Sequence, residues 1–510
     1  MRAISPLAEG ADRLFAEEAL KLGYELQVPL PYEREEYKKD FHDDASRRAF
    51  DDLLSKATAV FELEGELDAN GNHLATTYGT VGRVVLDHCD LLVAIWDGLP
   101  ARGDGGTAHV LELARHRHIP IVCLGINQFP DTFFSGERNE GIPLASVDYP
   151  DVVAKVVRPP WLSSQSRDDP DTNGAYFESA SIKNPVLGRL WTWFVKLMRL
   201  GADLEEPTKQ EQQIPDGDFK RYYERTDAIA NRFAGLYRGA FLANYTLGLC
   251  AVFFALLGYA DEERATGWLW SELAAILLVL ILVVLLVKRR WHYRSVDCRY
   301  LAEQFRVMCY IYPVGLTAPP LRLAAHHLYT DVQRSWMEWR LRALLRQQPL
   351  PSAHWTASAS ARYYLDVIDG FVEGQRIYHS RNEVGLEKTV KHLEVLGWTF
   401  VGIAALACIL HFGFHGPPVG PWLTLCAAGF PAAAATCHAI ATQAEFRRLS
   451  ERSGAMQKSL LSIRDRLRAM TSSGQISPAA LRRETESLAA LMIEEVVDWQ
   501  ILYRKPVPPG

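Results

Sequence analysis

Four stretches of this 510-residue chain, at 240–260, 267–287, 395–414 and 419–442, are apolar over the length that a helix needs to cross a bilayer, about 20 residues. Inside lipid every backbone polar group must be satisfied within such a run, so each is predicted to be helical. The second run holds one acid, Glu272. The Leu, Ile and Val residues that follow it each favour insertion by roughly 0.3–0.6 kcal/mol against about 3 kcal/mol for a central acid, so insertion prevails. The fourth is Ala-rich and carries Pro421 and Pro431, which leaves a kinked or re-entrant helix open.

The runs come in pairs joined by the short turns 261–266 and 415–418, so each pair is a hairpin with both ends on one side. Basic residues flank those ends: Arg232, Arg238, Lys288, Arg289, Arg290 and Arg294 for the first, Lys388, Lys391, Arg447 and Arg448 for the second. The first turn offers only Arg264, among Asp261, Glu262 and Glu263. By the positive-inside rule both termini and the central segment are expected in the cytoplasm of a cell whose inner membrane holds the spans. A repeat underlies the pairing. Arg221-Tyr222-Tyr223 recurs as Arg362-Tyr363-Tyr364, and Leu236-Tyr237 as Ile377-Tyr378, at one common offset, each ahead of a hairpin. A charged helical pattern follows each hairpin, at 298–309 and 443–468.

Residues 1–158 have a different texture. Short apolar runs at 2–7, 25–30, 59–64, 91–97 and 120–125 alternate with helix-like spacing at 12–22, 33–56, 72–89 and 107–116. That βαβαβαβαβ order predicts an α/β unit with a mostly parallel sheet covered by helices on both faces. Residues 159–185 read as a linker, 186–310 as the first two-span unit, 311–355 as a connector and 356–510 as the second unit. The first unit opens on 186–200, a basic, Trp-bearing amphipathic stretch that either lies among lipid headgroups or packs on the protein. A formal charge of −6 disfavours nucleic acid as a partner. The eight cysteines show no C-x-x-C spacing, so neither a zinc site nor a disulfide framework is indicated.

Two loops stand where such sheets bind ligands, at the carboxyl ends of strands. Ser5 to Arg13 contains Glu9, Gly10 and Asp12, with a helix starting near Asp12. Asp97 to Thr107 contains Gly103, Gly105 and Gly106, whose backbone can approach an anion closely, and Thr107 can cap the next helix or donate to a phosphate. The spacing fits neither a P-loop nor a G-x-G-x-x-G fingerprint, and a ligand-free helix cap is the other reading.

The stretches ISPLAEGADRLFAEEAL (4–20) and CDLLVAIWDGLPARGDGGTAHVLELARHRHIPIVCL (89–124) resemble the SLOG superfamily, relatives of the LOG and DprA proteins that bind nucleotides or nucleotide-derived signals. The resemblance implies a Rossmann-like fold and a nucleotide-derived ligand. It places phosphate against Gly105, Gly106 and Thr107, with Glu9, Gly10, Asp12 and Asp97 completing the site. Catalytic LOG proteins carry a Glu just after the Gly-Thr step, where His109 and Val110 stand here. That departure favours sensing over hydrolysis. The family's opening strand is not visible ahead of Arg2, which would remove one wall of the pocket. The tandem hairpins, with the tail EEVVDWQILYRKPVPP, resemble SLATT domains, two-span effectors of bacterial conflict and anti-phage systems. In the tail's helix Ser477 is the expected N-cap, with Pro478 at the first position.

No Ser/His/Asp or Cys/His constellation is evident, and His326-His327 lacks partners at metal-ligand spacing. Glu272, His411 and His438 lie in or at the ends of spans and are candidates for a pore or gating role, though water at the helix ends can also account for them. The expected protein is a membrane-anchored sensor–effector that binds a nucleotide-derived ligand, uses no cofactor and assembles as a homo-oligomer in the bilayer. A membrane-anchored nucleotide N-glycosidase and a channel or transporter are the rival readings.

Overall fold

A computed structural model describes residues 1–510 except 69–72, 102, 127–128, 135–140, 160–173, 184, 207–213, 318–334, 415, 417, 473–477 and 505–510; the side chains of 478–479 and 497–504 are also outside the described set. The expectations for His326, His327 and the Ser477 cap therefore lie outside the described residues, as do parts of the linker and of the second turn.

The N-terminal unit runs β1 (Arg2–Ile4), α1 (Ala11–Lys21), β2 (Glu25–Leu30), a short α2 (Arg34–Tyr37), α3 (Asp44–Ser55), β3 (Ala59–Glu62), α4 (Ala75–His88), β4 (Leu92–Trp96), α5 (Thr107–His116) and β5 (Ile121–Gly125). The predicted alternation is present. An antiparallel extension, β6 (Thr132–Phe134) and β7 (Ile142–Pro143), precedes α6 (Tyr149–Val157). The expected single sheet is instead two halves, ordered β1-β2-β3-β8 and β4-β5-β6-β7, because no strand among the described residues bonds β1 to β4. The fourth strand of the first half, β8 (Ala353–His354), comes from the segment read as a connector and pairs in parallel with β3.

Burial explains the strands locally. Leu26, Val28 and Leu30 of β2 are inaccessible and pack with Ala16 and Ala19 of α1 and with Phe50, Leu53 and Leu54 of α3. The α3 side chains recur at three- and four-residue spacing on one face, and Asp43 caps the helix by accepting the Ser46 N–H at 2.7 Å. Leu111 and Ala114 of α5 instead meet Leu92, Ile121 and Cys123 of the second half.

The described remainder, β8 apart, is mainly helical. After α7 (Ala175–Glu178) and α8 (Val186–Met198) come α9 (Asp218–Ala260), α10 (Ala265–Arg289) and α11 (Trp291–Ile311); α12 (Trp336–Leu345) and α13 (Ala357–Tyr363) lead into α14 (Asp369–Gly413), α15 (Gly420–Gln443), α16 (Phe446–Ser472) and α17 (Pro478–Arg504). Among the described residues four helical segments are long and apolar enough to cross a membrane, and they contain the four runs found in the sequence apart from Phe414 and Val419. Pro431 sits inside a continuous α15, so the re-entrant alternative is not adopted. The repeat is visible as a shape, since each unit is a long helix, a span and a return helix packed on the long one. A π turn at Tyr364–Ile368 joins α13 to α14, making the second long helix 57 residues against 43 in the first. Its span therefore starts about four helical turns further from the shared Arg-Tyr-Tyr motif.

The spans form a row, α10 beside α9, α9 beside α15, α15 beside α14. Gly429 of α15 faces α9, for a Cβ there would lie 2.8 Å from the Phe253 ring. At the opposite ends of the long helices, Ile229, Phe233, Leu301, Phe305, Ile368, Val372, Leu460 and Met492 build the largest core. The amphipathic α8 lies where these regions meet. Phe194 and Met198 pack on Leu242, Leu393, Ile440 and Phe446, while Trp193 stays 62% exposed. One stripe thus packs on the protein and the other is open to its surroundings.

Candidate functional site

The first loop is shaped by its own polar groups. Gly10 adopts φ 93°, a left-handed conformation open to glycine, and stands at the N-cap of α1. Glu9 accepts hydrogen bonds from the His42 N–H at 3.0 Å and from the Ser46 hydroxyl, and the Ser46 bond foremost holds its carboxyl below the usual range. Arg13 donates to the Leu7 carbonyl at 3.0 Å and to the Ser46 carbonyl at 3.0 Å. Glu9 and Arg13 therefore fasten the loop to the start of α3. Asp12 is half-buried beside the loop, and burial lifts its carboxyl to about 6 against the opposing Ala8 backbone hydrogen bond.

The second loop leaves β4 through a turn in which the Asp97 carboxylate accepts the Leu99 N–H at 3.0 Å. Gly105 has φ +88°, and a Cβ on it would fall 2.5 Å from the Tyr78 carbonyl carbon and 2.6 Å from the Gly79 nitrogen. Only glycine lets this turn rest on α4. Its N–H donates to His109 Nδ1 at 3.0 Å, so His109 folds back on the turn. Gly106 caps α5 in extended backbone, φ −65°, and Thr107 is the helix's first residue, placing the unpaired N–H groups of the first turn beside the glycines.

Glu9, Asp12, Gly105, Gly106 and Thr107 line one open cleft of about 2770 Å³ that runs along β1 and β4. Gly10 shapes its rim through the α1 cap, and Asp97 stands at the base of its loop, outside the lining. The structure adds a cluster that sequence spacing does not reveal. Tyr78 donates to Asp40 at 2.8 Å and lies 3.0 Å from the Tyr32 hydroxyl, which also bonds Asp40. Tyr32 stacks on His73 with ring centroids 3.5 Å apart. Burial pushes both tyrosine hydroxyls up, so they stay neutral. Tyr78 lines the cleft and supports Gly105, and the one available signal was that Tyr32 follows the end of β2. Among the described residues no group of three or more His, Cys, Asp or Glu could hold a metal ion.

The three ionisable residues of the spans do not converge. Glu272 is half-buried near the start of α10, His411 is half-buried near the end of α14, and His438 is exposed near the far end of α15. In the row of helices, α9 and α15 stand between α10 and α14.

Compared with protein-family models, curated proteins and solved structures, the chain matches none.

Proposed function

We propose that the chain is a membrane-embedded sensor–effector whose N-terminal cleft binds a phosphate-bearing, nucleotide-derived ligand. The observation that carries this reading is that the Gly10 loop and the Gly105-Gly106-Thr107 turn, far apart in sequence, wall one cleft at the carboxyl ends of β1 and β4, with the N-terminus of α5 beside it. An anion there meets free backbone N–H groups and the positive end of a helix dipole. The SLOG-like sequence around both loops supports the same ligand class, and the SLATT-like layout supports an effector role for the hairpins, with homo-oligomers in a bacterial inner membrane and both termini cytoplasmic. Ligand binding changes the membrane region only through a difference in affinity between a resting and an assembled state. Two physical links are in place to carry it: β8, which joins the helical region to the first half-sheet, and the pairing of Arg482 of α17 with Glu64, two residues past β3.

The Asp12 carboxyl at about 6, in the wall of the cleft, favours a second reading, in which it protonates a leaving base while water adds to the anomeric carbon, so that the N-glycosidic bond is hydrolysed. Thermal melts of the purified chain with nucleoside mono- and diphosphates, followed by product analysis, test both. Stabilisation of about 2.7 kcal/mol at a hundredfold excess over Kd with intact nucleotide supports sensing. Release of free base supports the enzyme, and no shift with any phosphate-bearing nucleotide removes both.

A further inference from the structure

We propose that α8 is a strap lying in the plane of the membrane, which ties the two hairpins together at one depth and binds anionic lipid headgroups through Arg189 and Lys196. Its ends are held on different hairpins. At the first turn the Leu187 backbone rests so closely on α9 that a Cβ on Gly239 would collide with the Leu187 carbonyl. At the last turn His392 of α14 donates from Nδ1 to the Met198 carbonyl at 2.7 Å. Gly239 immediately precedes the apolar run 240–260, and His392 stands just ahead of the run 395–414. The 13 residues of α8 extend for about 20 Å between these two anchors. Both ends of the helix therefore sit where spans begin, and its axis lies along the membrane surface rather than across it.

Trp191 and Arg199 fix which side of α8 faces away from the bilayer. Trp191 stacks on Phe446 with ring centroids 6.0 Å apart and carries the Arg238 guanidinium 5.8 Å from its ring centre, and both partners lie outside the apolar runs. Arg199, the C-cap, reaches toward Gly385, where a Cβ would lie 2.8 Å from its Nε. On α14 that glycine is about 15 Å ahead of the third apolar run, on the side away from the bilayer. The helical repeat puts Val186, Trp193 and Leu197 across α8 from Arg199, and all three are exposed. Their stripe is thus turned toward the bilayer and continues the apolar surface of the spans.

Arg189 and Lys196 stand two turns apart on one exposed edge of α8, beside that stripe. Among the described residues neither side chain has an ion-pair partner. From Ser179 to Ala202 the chain carries Lys183, Arg189, Lys196 and Arg199 and no acid. An apolar stripe at depth with a cationic edge above it matches a layer of anionic headgroups, because the long stems of Arg and Lys let the charges reach phosphates while the helix rests at the acyl boundary. A soluble acidic partner could meet the two cations, but it would leave a Trp-bearing stripe facing the level where the spans begin. This decides for lipid.

The test uses the full chain without nucleotide, so that its outcome does not depend on what the N-terminal cleft binds. Extracted from vesicles of phosphatidylcholine and phosphatidylglycerol in equal parts, the parent should retain phosphatidylglycerol preferentially, read by native mass spectrometry. Arg189→Gln combined with Lys196→Gln should lower that preference roughly 25-fold, about fivefold for each cation at an anionic surface. The difference in emission between the parent and Trp193→Phe should be quenched by lipids brominated close to the headgroup. All three substitutions are at exposed positions, so the variants should fold. A lipid preference unchanged in the double variant, or a Trp193 emission untouched by brominated lipid, overturns the proposal.

Discussion

Arg482, at the start of α17, clasps Glu64, just past β3, through two hydrogen bonds of 3.0 and 3.2 Å, and donates a third to the Val314 carbonyl. Each side chain is 4% exposed. The last helix of the membrane-associated region is thereby pinned to the first half-sheet by a fully buried ion pair. Truncating one partner leaves the other charge buried and unpaired, which costs about 3–5 kcal/mol. Arg482→Ala is expected to lower the melting temperature markedly, and Arg482→Leu combined with Glu64→Leu to recover part of the loss. A single truncation that costs under about 1 kcal/mol would show that the pair is not a structural joint.

The two adjacent glycines of the second loop should respond differently. Gly106 has ordinary extended backbone, so Gly106→Ala should fold as the parent does, and its methyl in the cleft should weaken nucleotide-induced stabilisation without unfolding the turn. Gly105→Ala places a methyl 2.5 Å from the Tyr78 main chain at φ +88° and should cost about 1–3 kcal/mol while abolishing nucleotide-induced stabilisation. Unchanged ligand affinity in a folded Gly105→Ala protein would remove this turn from the binding site.

Glu495 of α17 stands 3.6 Å from His379 of α14. Burial, reinforced by Glu303 and opposed by Arg306, Arg452 and Arg299, raises its carboxyl from the ordinary 4.5 to about 7. The folded state then binds more protons than the unfolded state between those values, so this group's contribution is full below pH 4.5 and is lost as pH rises through 7. His379, pushed down from 6.5 to about 4 by burial first and by Arg306 and Arg299, works oppositely, its contribution being lost as pH falls through that window. Glu495→Gln should therefore gain on the parent between pH 4.5 and 7, by up to about 3 kcal/mol. Melts at pH 5 and pH 7.5 that show the same difference between the two proteins would contradict this.

The sequence was most informative where a structural demand is local. A membrane span must be apolar along its whole length, and α10, Ala265–Arg289, overruns the predicted 267–287 by only two residues at each end. The first and third runs, however, are the ends of much longer helices, because the polar halves of α9 and α14 bury their faces in a core that local hydropathy does not register. Strands β1 to β5 of the N-terminal unit were equally legible, as were the loops that follow β1 and β4, whereas the short antiparallel β6 and β7 were not. Glu9 was legible as a loop residue but not as the acceptor that binds α3, since Ser46 lies 37 residues away. The two-residue β8 has no periodicity to detect, and Arg482 and Glu64 are 418 positions apart. Such pairings are set by the assembled core, and no spacing rule on one chain announces them.

The four spans stand in a row rather than a ring, and α10 exposes Leu269, Trp270, Leu273, Leu277, Leu280 and Val284, so a single chain does not enclose a polar path. Gly429 and Ala433 of α15 are used up within the chain, Gly429 against Phe253 of α9, whereas Ala428, Pro431 and Ala435 remain exposed, leaving a narrow small-residue face for contact between copies. Permeabilisation, if the proposed effector role holds, therefore requires several chains. In dye-loaded liposomes the full chain should release dye only with a nucleotide that stabilises it, with a rate that climbs steeply with protein density. A variant without residues 395–442 should release none, and Arg482→Ala, with the clasp to the N-terminal unit cut, should bind nucleotide yet release dye poorly. Equal leakage with and without nucleotide, or none under a nucleotide that demonstrably binds, would leave the spans as an anchor and give precedence to base release in the Asp12 cleft.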